Sequence, residues 1–294
     1  MNQVEFSLWI AVSSVLAGLL GALTGLGGGV VIVPVLTILF HVDIHYAIGA
    51  SLVSVIATSS GAAAAYVREG FSNIRIGMFL EIATTLGALL GAYLTARISG
   101  HAIGIVFGLV LLYSAWATVR SRADESTPRA IKRSDLAERL RLSGDYPAPR
   151  ADEGTQQDGA ASTGAKIAYS AENVPAGFGL MFAAGTLSGL LGIGSGAVKV
   201  LAMDQAMKLP FKVSTTTSNF MIGVTAAASA GIYLSRGYIL PGLAMPVMLG
   251  VLGGSLLGAR LLVRMQVHTL RILFSIVIVM LGLEMIYSAM RGSL

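Results

Sequence analysis

Cysteine is absent from this sequence, and charged residues are scarce. Without cysteine the chain can form neither disulfides nor thiolate metal sites, and it has no cysteine nucleophile. Charged residues make up 12% of the 294 residues, about half the share found in soluble domains. This scarcity excludes an ordinary water-soluble enzyme. The net charge is +5, but the sequence offers no basic face to lie along phosphates, which excludes nucleic acid as a partner.

Apolar residues dominate what is present. Hydrophobic residues make up 54% of the chain, and its mean hydropathy is +0.76. A helix needs about 20 apolar residues to cross a bilayer. Ten segments approach or reach this length: 4–23, 28–40, 46–67, 74–97, 101–119, 174–191, 196–209, 213–234, 239–263 and 269–290. We therefore predict an all-α integral membrane protein embedded in the lipid bilayer.

The ten segments form an internal repeat. Aligning residues 18–97 with the chain 167 positions later, without a gap, gives 21 identities in 80 positions, where about six or seven are expected by chance in such a composition. The chain is therefore divided into a first repeat, 1–119, a connection, 120–172, and a second repeat, 173–294. Each repeat crosses the membrane an odd number of times, so the second repeat is predicted to be inverted.

Basic residues give this topology a direction. If the 120–172 connection is cytoplasmic, sixteen of the twenty lysines and arginines fall on the cytoplasmic side and three on the other, which is a strong positive-inside bias. We therefore expect a multi-pass protein of the inner (plasma) membrane with both termini outside. The connection is rich in charge, proline and small polar residues, and we expect a flexible linker there. A regulatory or partner-binding loop is the alternative.

Two of the ten segments, 28–40 and 196–209, are too short to span as straight helices, and each follows a glycine cluster. We expect these segments to be halves of broken or re-entrant elements, whose N-terminal amides would converge on a midplane anion site. The alternative is that the glycines only allow close helix packing, which is our expectation for the Gly87/Gly91 and Gly254/Gly258 pairs. The candidate anion-binding residues of the two clusters are Gly25, Gly27, Gly28, Gly29, Gly192, Gly194, Ser195 and Gly196.

Lys199 is the single intramembrane lysine, one turn after Gly196, since Lys208 at the end of the same segment is counted on the cytoplasmic side. An ionisable residue at membrane depth is costly unless it faces a partner or a cavity. We therefore expect Lys199 to bind the anion's charge, with snorkelling of its stem as the alternative. Polar residues at helical spacing supply candidate hydrogen-bond donors, although such residues also bridge helices. They are Ser51, Thr58, Ser218, Asn219 and Thr225.

Carboxylates are the remaining candidates. Glu81 lies roughly 10 Å into its segment at 1.5 Å per residue and is a candidate for proton coupling, although a partly hydrated interfacial position is favoured. Asp204 is expected to pair with Lys199 or Lys208. His41, Asp43 and His45 are expected to lie in a solvated turn, and no metal site is predicted. The sequence contains no Ser-His-Asp set, P-loop or HExxH motif, so neither an enzyme nor a cofactor is predicted.

These motifs resemble a known family. The glycine-rich segment that runs into VVIVP, from Gly25 to Pro34, its degenerate copy after Gly192, and the two five-segment halves are similar to the TauE/SafE sulfite exporter family. Ser195 stands where the first half has Gly28, and Leu201 where it has Pro34, so the two half-sites need not contribute equally.

The resemblance implies secondary export of a small inorganic or organic sulfur anion, sulfite first, by alternating access. Moving one negative charge outward along an inside-negative potential releases about 2.3 kcal/mol per 100 mV, so export needs no ATP and no obligatory co-transported ion. The alternatives are an importer or exchanger of thiosulfate or a sulfonate and, from a different class, an anion channel.

Introduced cysteines report this topology without background, because the native chain has none. Thr155→Cys and Ser162→Cys should react with a membrane-impermeant thiol reagent only from the cytoplasmic side, and Asn2→Cys only from outside. The unsubstituted protein is the control. Labelling of Thr155→Cys from outside would overturn both the orientation and the charge argument.

Overall fold

A computed structural model of the chain describes residues 3–24, 28–68, 73–120, 135–147, 166–262 and 267–292. Gly25, Gly27 and most of the 120–172 connection, including Thr155 and Ser162, lie outside these ranges.

The described residues fold almost entirely as helices, and a helix covers each of the ten predicted segments. In chain order they are α1 Gln3–Thr24, α2 Gly29–Pro34, α3 Ile44–Arg68, α4 Ile74–Thr95, α5 Gly100–Arg120, α6 Asp135–Arg139, α7 Val174–Leu191, α8 Gly196–Leu201, α9 Phe211–Ser235, α10 Pro241–Leu262 and α11 Val267–Arg291. Within the described ranges, α4, α7 and α10 are long and apolar enough to cross a membrane by length and composition, and several other helices carry shorter apolar stretches. The all-α membrane architecture is therefore confirmed.

Each short segment has the same internal construction. Helix α2 runs directly into a π-helical turn, Val35–Leu39, and α8 runs into another, Ala202–Ala206. The two π turns occupy equivalent positions of the repeat, 167 residues apart. Pro34 precedes the first π turn, but Leu201 precedes the second. Because both turns form, the N–H group that proline lacks cannot be the cause of the π-helical geometry. The π turn is a shared property of the two short segments.

Glycines bring α4 and α7 into backbone contact. A Cβ added at Gly87 would overlap the carbonyl oxygen of Phe182, and one added at Gly185 would overlap that of Thr84. Gly91 meets α7 one turn further along, so the two helices run in parallel. Small residues let membrane helices approach this closely because apolar side chains gain little by facing each other rather than lipid. The packing role predicted for Gly87 and Gly91 is confirmed.

The α1–α10 interface uses the equivalent residues. A Cβ at Gly254 would overlap the Val15 carbonyl oxygen, and one at Gly18 would overlap that of Val251. Each of these contacts is the counterpart, 167 residues away, of a contact between α4 and α7. The first and fourth helices of each half therefore pack on the fourth and first helices of the other half.

The central pair, α3 and α9, runs in opposite directions. Gly49, near the start of α3, meets Tyr238 just beyond the end of α9, whereas Ser59 on the later part of α3 meets Gly223 at the middle of α9. These two helices are equivalent in the repeat. Antiparallel packing of equivalent helices is the geometry required if one half is inverted relative to the other.

Part of the 120–172 connection is folded, whereas the sequence predicts a flexible linker there. A two-stranded antiparallel sheet pairs β1 Ser143–Pro147 with β2 Lys166–Ser170. Its Tyr169 is buried in a core shared with α4, α7 and α9, and its hydroxyl oxygen accepts a hydrogen bond from Asn73 Nδ2 at 2.8 Å. Burial raises the pKa of Tyr169, which keeps this hydroxyl neutral. The sheet is thereby fixed to the residue that caps α4, since Asn73 Oδ1 also accepts from the Ile76 N–H at 3.0 Å.

Adjacent glycines on α10 provide a test of the packing. Gly254→Ala should destabilise the protein by about 1–3 kcal/mol, because its methyl group has no room against Val15. Gly253 has open space around its missing Cβ, so Gly253→Ala should be neutral or stabilise by up to about 1 kcal/mol through helix propensity. Thermal unfolding in detergent measures both variants. Equal Tm values for the two would contradict the close approach of α1 and α10.

Candidate functional site

The two glycine-broken segments meet at the antiparallel α3–α9 pair. Ser51 on α3 donates a hydrogen bond from Oγ to the carbonyl oxygen of Gly192 at 2.8 Å. A Cβ at Gly29 would lie 2.7 Å from the same Ser51 Oγ and 3.1 Å from the Gly192 carbonyl oxygen. The start of α2 and the break before α8 are therefore neighbours, as the predicted convergence of the glycine clusters requires.

The break before α8 depends on left-handed backbone. Gly192 and Gly194 have φ angles of 67° and 69°, and Ser195 has φ 44°, a region that costs a non-glycine residue energy. The strained Ser195 is fixed by a hydrogen bond from its Oγ to the Ala184 carbonyl oxygen at 2.7 Å. Side chains crowd both glycines: a Cβ at Gly192 would lie 2.6 Å from Ile48. Glycine is required here by conformation and by space.

The predicted hydroxyl donors bond to backbone carbonyls in this conformation. Ser218 Oγ donates to the Gly196 carbonyl oxygen at 3.3 Å, and Thr58 Oγ1 donates to the Ser54 carbonyl oxygen at 3.0 Å. Ser51 and Ser218 therefore join α3 and α9 to the glycine segment before α8, whereas the Thr58 bond lies within α3. Asn219 is half-buried on α9. To bind an anion, the serines would have to give up these backbone partners.

A second group of candidates lies one turn further along α8 and two turns further along α9. Lys199 on α8 is completely buried, and its Nζ donates to Thr225 Oγ1 on α9 at 2.5 Å. Thr225 Oγ1 in turn lies 2.7 Å from Glu81 Oε1 on α4, to which it can donate. We call Lys199, Thr225 and Glu81 the charged cluster. Burial of Lys199 excludes snorkelling of its ammonium to an interface in this conformation.

Glu81 is not the partly hydrated interfacial residue that was favoured from the sequence. Its exposed fraction is 8%, because α7 and α9 both pack against α4. Oε1 accepts from Thr225 and also from Thr85 Oγ1 at 3.1 Å, whereas Oε2 is buried with no hydrogen-bond partner. A buried carboxylate oxygen without a donor is costly and leaves one position where a proton or a further donor can bind.

The charged cluster lies at the depth expected of a transport site. Glu81 is about 5 Å from the midpoint of α4, and Thr225 is about 3 Å from the midpoint of α9, at 1.5 Å per residue. Because these helices have 22 and 25 residues, both positions are near the centre of a span. A low-dielectric environment strengthens the attraction between Lys199 and Glu81.

The positions that the repeat makes equivalent to the charged cluster carry no charge. At the positions equivalent to Lys199, Thr225 and Glu81, the first repeat and α10 carry Ile32, Thr58 and Met248. Only the threonine is duplicated. The equivalent helices therefore pack with isoleucine and methionine in place of Lys199 and Glu81, and the fold itself does not require the charges.

Hydrogen bonds close both ends of the α4–α9 interface around the cluster. At one end, the Asn73 N–H donates to Thr217 Oγ1 at 3.1 Å. At the other, Thr95 Oγ1 and Tyr233 Oη lie 2.9 Å apart, and Arg236 donates to the Ala92 carbonyl oxygen at 2.8 Å. Sequence reasoning assigned none of these residues to the site. The duplicated Tyr66/Tyr233 pair of the repeat was the one available signal.

The remaining sequence candidates lie elsewhere. His45 Nδ1 pairs with Asp43 Oδ1 at 2.9 Å in the turn before α3. Within the ranges that the structure describes, no group of three histidine, aspartate or glutamate side chains could hold a metal ion.

Removing one charge of the cluster should cost more than removing both. Lys199→Met leaves Glu81 buried without its counter-charge and should destabilise the protein by about 3–5 kcal/mol, less at low pH where the carboxylate takes up a proton. Lys199→Ile combined with Glu81→Met introduces the residues found at the equivalent positions, Ile32 and Met248, and should be at least as stable as the native protein. Thermal unfolding in detergent measures both. Additive losses in the double variant would show that the two residues do not interact.

Comparison with known proteins agrees with this architecture. Residues 10–285 match the family model described as Sulfite exporter TauE/SafE. The "Probable membrane transporter protein YunE" of Bacillus subtilis (strain 168) is 28% identical over 288 residues, which cover 95% of this chain and 96% of that protein. YdhB of the same organism, which carries the same description, is 27% identical over 246 residues, 83% of this chain and 86% of its own length.

A "Probable membrane transporter protein" of Xylella fastidiosa (strain Temecula1 / ATCC 700964) is 24% identical over 287 residues, 96% of this chain and 95% of its own length. No solved structure matches the chain at comparable significance. The family description and the names of these relatives indicate a transporter rather than an enzyme. The chain belongs to the TauE/SafE sulfite exporter family and is a membrane-embedded transporter.

Proposed function

We propose that this protein is a secondary transporter that exports a small sulfur-containing oxyanion, sulfite first, and that Lys199 binds the anion's charge. The observation that carries the proposal is a fully buried lysine near the centre of the membrane. The matching of residues 10–285 to a sulfite exporter family supports the substrate class.

The position of Lys199 supports a binding role rather than a structural one. Its ammonium has three donor hydrogens, and one of them bonds to Thr225. The equivalent position in the other half is Ile32, which is also completely buried. A charge that the fold does not need, one turn beyond a glycine break, is what an anion site requires.

Alternating access is proposed to act through the two closed ends of the α4–α9 interface. Opening one end would break the Asn73–Thr217 contact, and opening the other would break the Thr95–Tyr233 and Arg236 contacts. Antiparallel packing of α3 on α9 supports two inverted repeats that could rock about this pair. The breaks at Gly29 and Gly192 would supply backbone amides and serine hydroxyls to the anion once their present hydrogen bonds open.

Orientation is proposed from the charge distribution. The positive-inside bias supports the inner membrane, with the 120–172 connection in the cytoplasm and both termini outside. In that orientation the β1–β2 sheet and Asn73 close the cytoplasmic end, and Tyr233 and Arg236 close the external end. Export would start with opening at the sheet.

The proposal is tested by sulfite flux from proteoliposomes and by binding to the purified protein. Lys199→Met should weaken sulfite binding by roughly ten- to a hundredfold, because one close charge-assisted contact is lost. Lys208→Met, which removes an exposed lysine, is the matched control and should bind as the native protein does. Lys199→Ile with Glu81→Met separates lost binding from lost stability.

Sulfite, thiosulfate and a sulfonate compared in counterflow rank the substrates. Trans-stimulation by the opposing anion indicates a carrier, whereas single-channel currents would indicate an anion channel. A native protein that moves none of the three anions would overturn the proposed function, and unchanged affinity in Lys199→Met would remove Lys199 from the site.

A further inference from the structure

Resting on the proposed role of Lys199, we infer that the anion binds only when Glu81 has taken up a proton, so that one proton crosses the membrane with each anion. The inference comes from the charged cluster and from its unpartnered carboxylate oxygen.

Charge balance is the first step. In the empty site the Lys199 ammonium and the Glu81 carboxylate compensate each other through Thr225. An anion that joins them would leave one uncompensated negative charge in a site closed at both ends, which is unfavourable in a low-dielectric environment. A proton on Glu81 restores neutrality, because the anion then replaces the carboxylate as the partner of Lys199.

Hydrogen bonding supplies the second step. Glu81 Oε2 is buried and has no hydrogen-bond partner, so it is the oxygen that is free to take the proton. Oε1 is already bonded to Thr225 and Thr85. No other protein group has to move to make room for the proton.

Thr225 can respond to the protonation. Its Oγ1 lies 2.7 Å from Glu81 Oε1 and 2.9 Å from the Met221 carbonyl oxygen, and its single hydrogen can go to either acceptor. When Glu81 is ionised, the hydroxyl donates to the carboxylate and accepts from Lys199. When Glu81 is neutral, the hydroxyl can turn to Met221, and the two donor hydrogens of Lys199 that are not bonded to Thr225 can bind an incoming anion.

Few other charges face Glu81. Helix α7, which packs on α4, contains no ionisable residue. The other ionisable groups on α4 and on the elements around it are Arg75 and Tyr93 on α4 itself, Lys212 and Tyr233 on α9, Tyr169 on β2 and Asp204 on the π turn after α8. Tyr233 bonds to Thr95 at the far end of the helices, and the side chain of Lys212 lies outside the described ranges. Lys199 is the charged group coupled to Glu81.

The consequence concerns the driving force. The empty site and the site loaded with a monovalent anion and a proton have the same net charge. Transport of such an anion should therefore respond to the anion and proton gradients and not to the membrane potential, in contrast to the voltage-driven export expected from the sequence. Export then runs down the anion's own gradient.

The test compares sulfite binding by the native protein and by Glu81→Gln across the neutral pH range. Sulfite itself takes up a proton in this range, so the ratio of the two affinities is used and its titration cancels. The native affinity should fall relative to that of Glu81→Gln by about tenfold per pH unit once Glu81 is ionised, which is the slope for one linked proton. Glu284→Gln removes an exposed carboxylate and should follow the native protein at every pH.

A second measurement needs no variant. Calorimetry of sulfite binding to the native protein in buffers of different ionisation heat gives the number of protons taken up, after correction for sulfite's own protonation. One proton per anion is expected. If Glu81→Gln does not fold, Glu81→Met supplies the neutral reference.

The outcomes separate the two proposals. A flat affinity ratio, or no proton uptake, in a protein whose sulfite binding depends on Lys199 overturns proton coupling and leaves the proposed function standing. Absence of sulfur-anion binding to the native protein overturns the proposed function.

Discussion

The burial of one ammonium group is the constraint on which the rest of the site depends. An isolated charge is strongly disfavoured in hydrocarbon, so Lys199 can stay at membrane depth only with a counter-charge and hydrogen bonds nearby. Glu81 supplies the charge from a different helix, and Thr225 from a third element bridges the two. The positions of α4, α8 and α9 are therefore coupled through one network.

A symmetric scaffold carries this asymmetric network. The α1–α10 and α4–α7 interfaces use equivalent glycines, and both short segments contain a π turn at the same register. Duplication explains the scaffold, because close packing depends on small residues that both halves share. Lys199 and Glu81 have no charged counterparts, since Ile32 and Met248 occupy the equivalent positions of the repeat. Two halves that fold alike need not bind alike.

Much of the fold could be predicted from the sequence, because the signals are local or periodic. Apolar length gave the ten segments, and the 167-residue offset gave the pairing of equivalent positions. The packing glycines Gly87 and Gly91 followed from their spacing of one helical turn. Lys199 was found because a single lysine in an apolar segment has no local explanation.

The rest depends on contacts between distant parts of the chain. Glu81 and Thr225 are 144 positions apart, and no periodicity within α4 indicates which neighbour covers its polar face. For that reason the sequence favours a hydrated interfacial position for Glu81, whereas the structure buries it. The β1–β2 sheet was missed for a similar reason: its strands are short and polar, and Tyr169 is buried only because α4 and α7 offer it a core.

Charge compensation also affects how easily a transport site can change its access from one side of the membrane to the other. A carrier changes the access of its site without carrying a bare charge through hydrocarbon, since that step would be slow. In the closed conformation described here, Lys199 and Glu81 neutralise each other while both ends of the α4–α9 interface are hydrogen-bonded. Under the proposed carrier mechanism, this compensation gives the empty site a low-energy closed state. A closed state that also holds an anion needs an equal compensation, and Glu81, whose second oxygen has no partner, is the group of the cluster that can provide it.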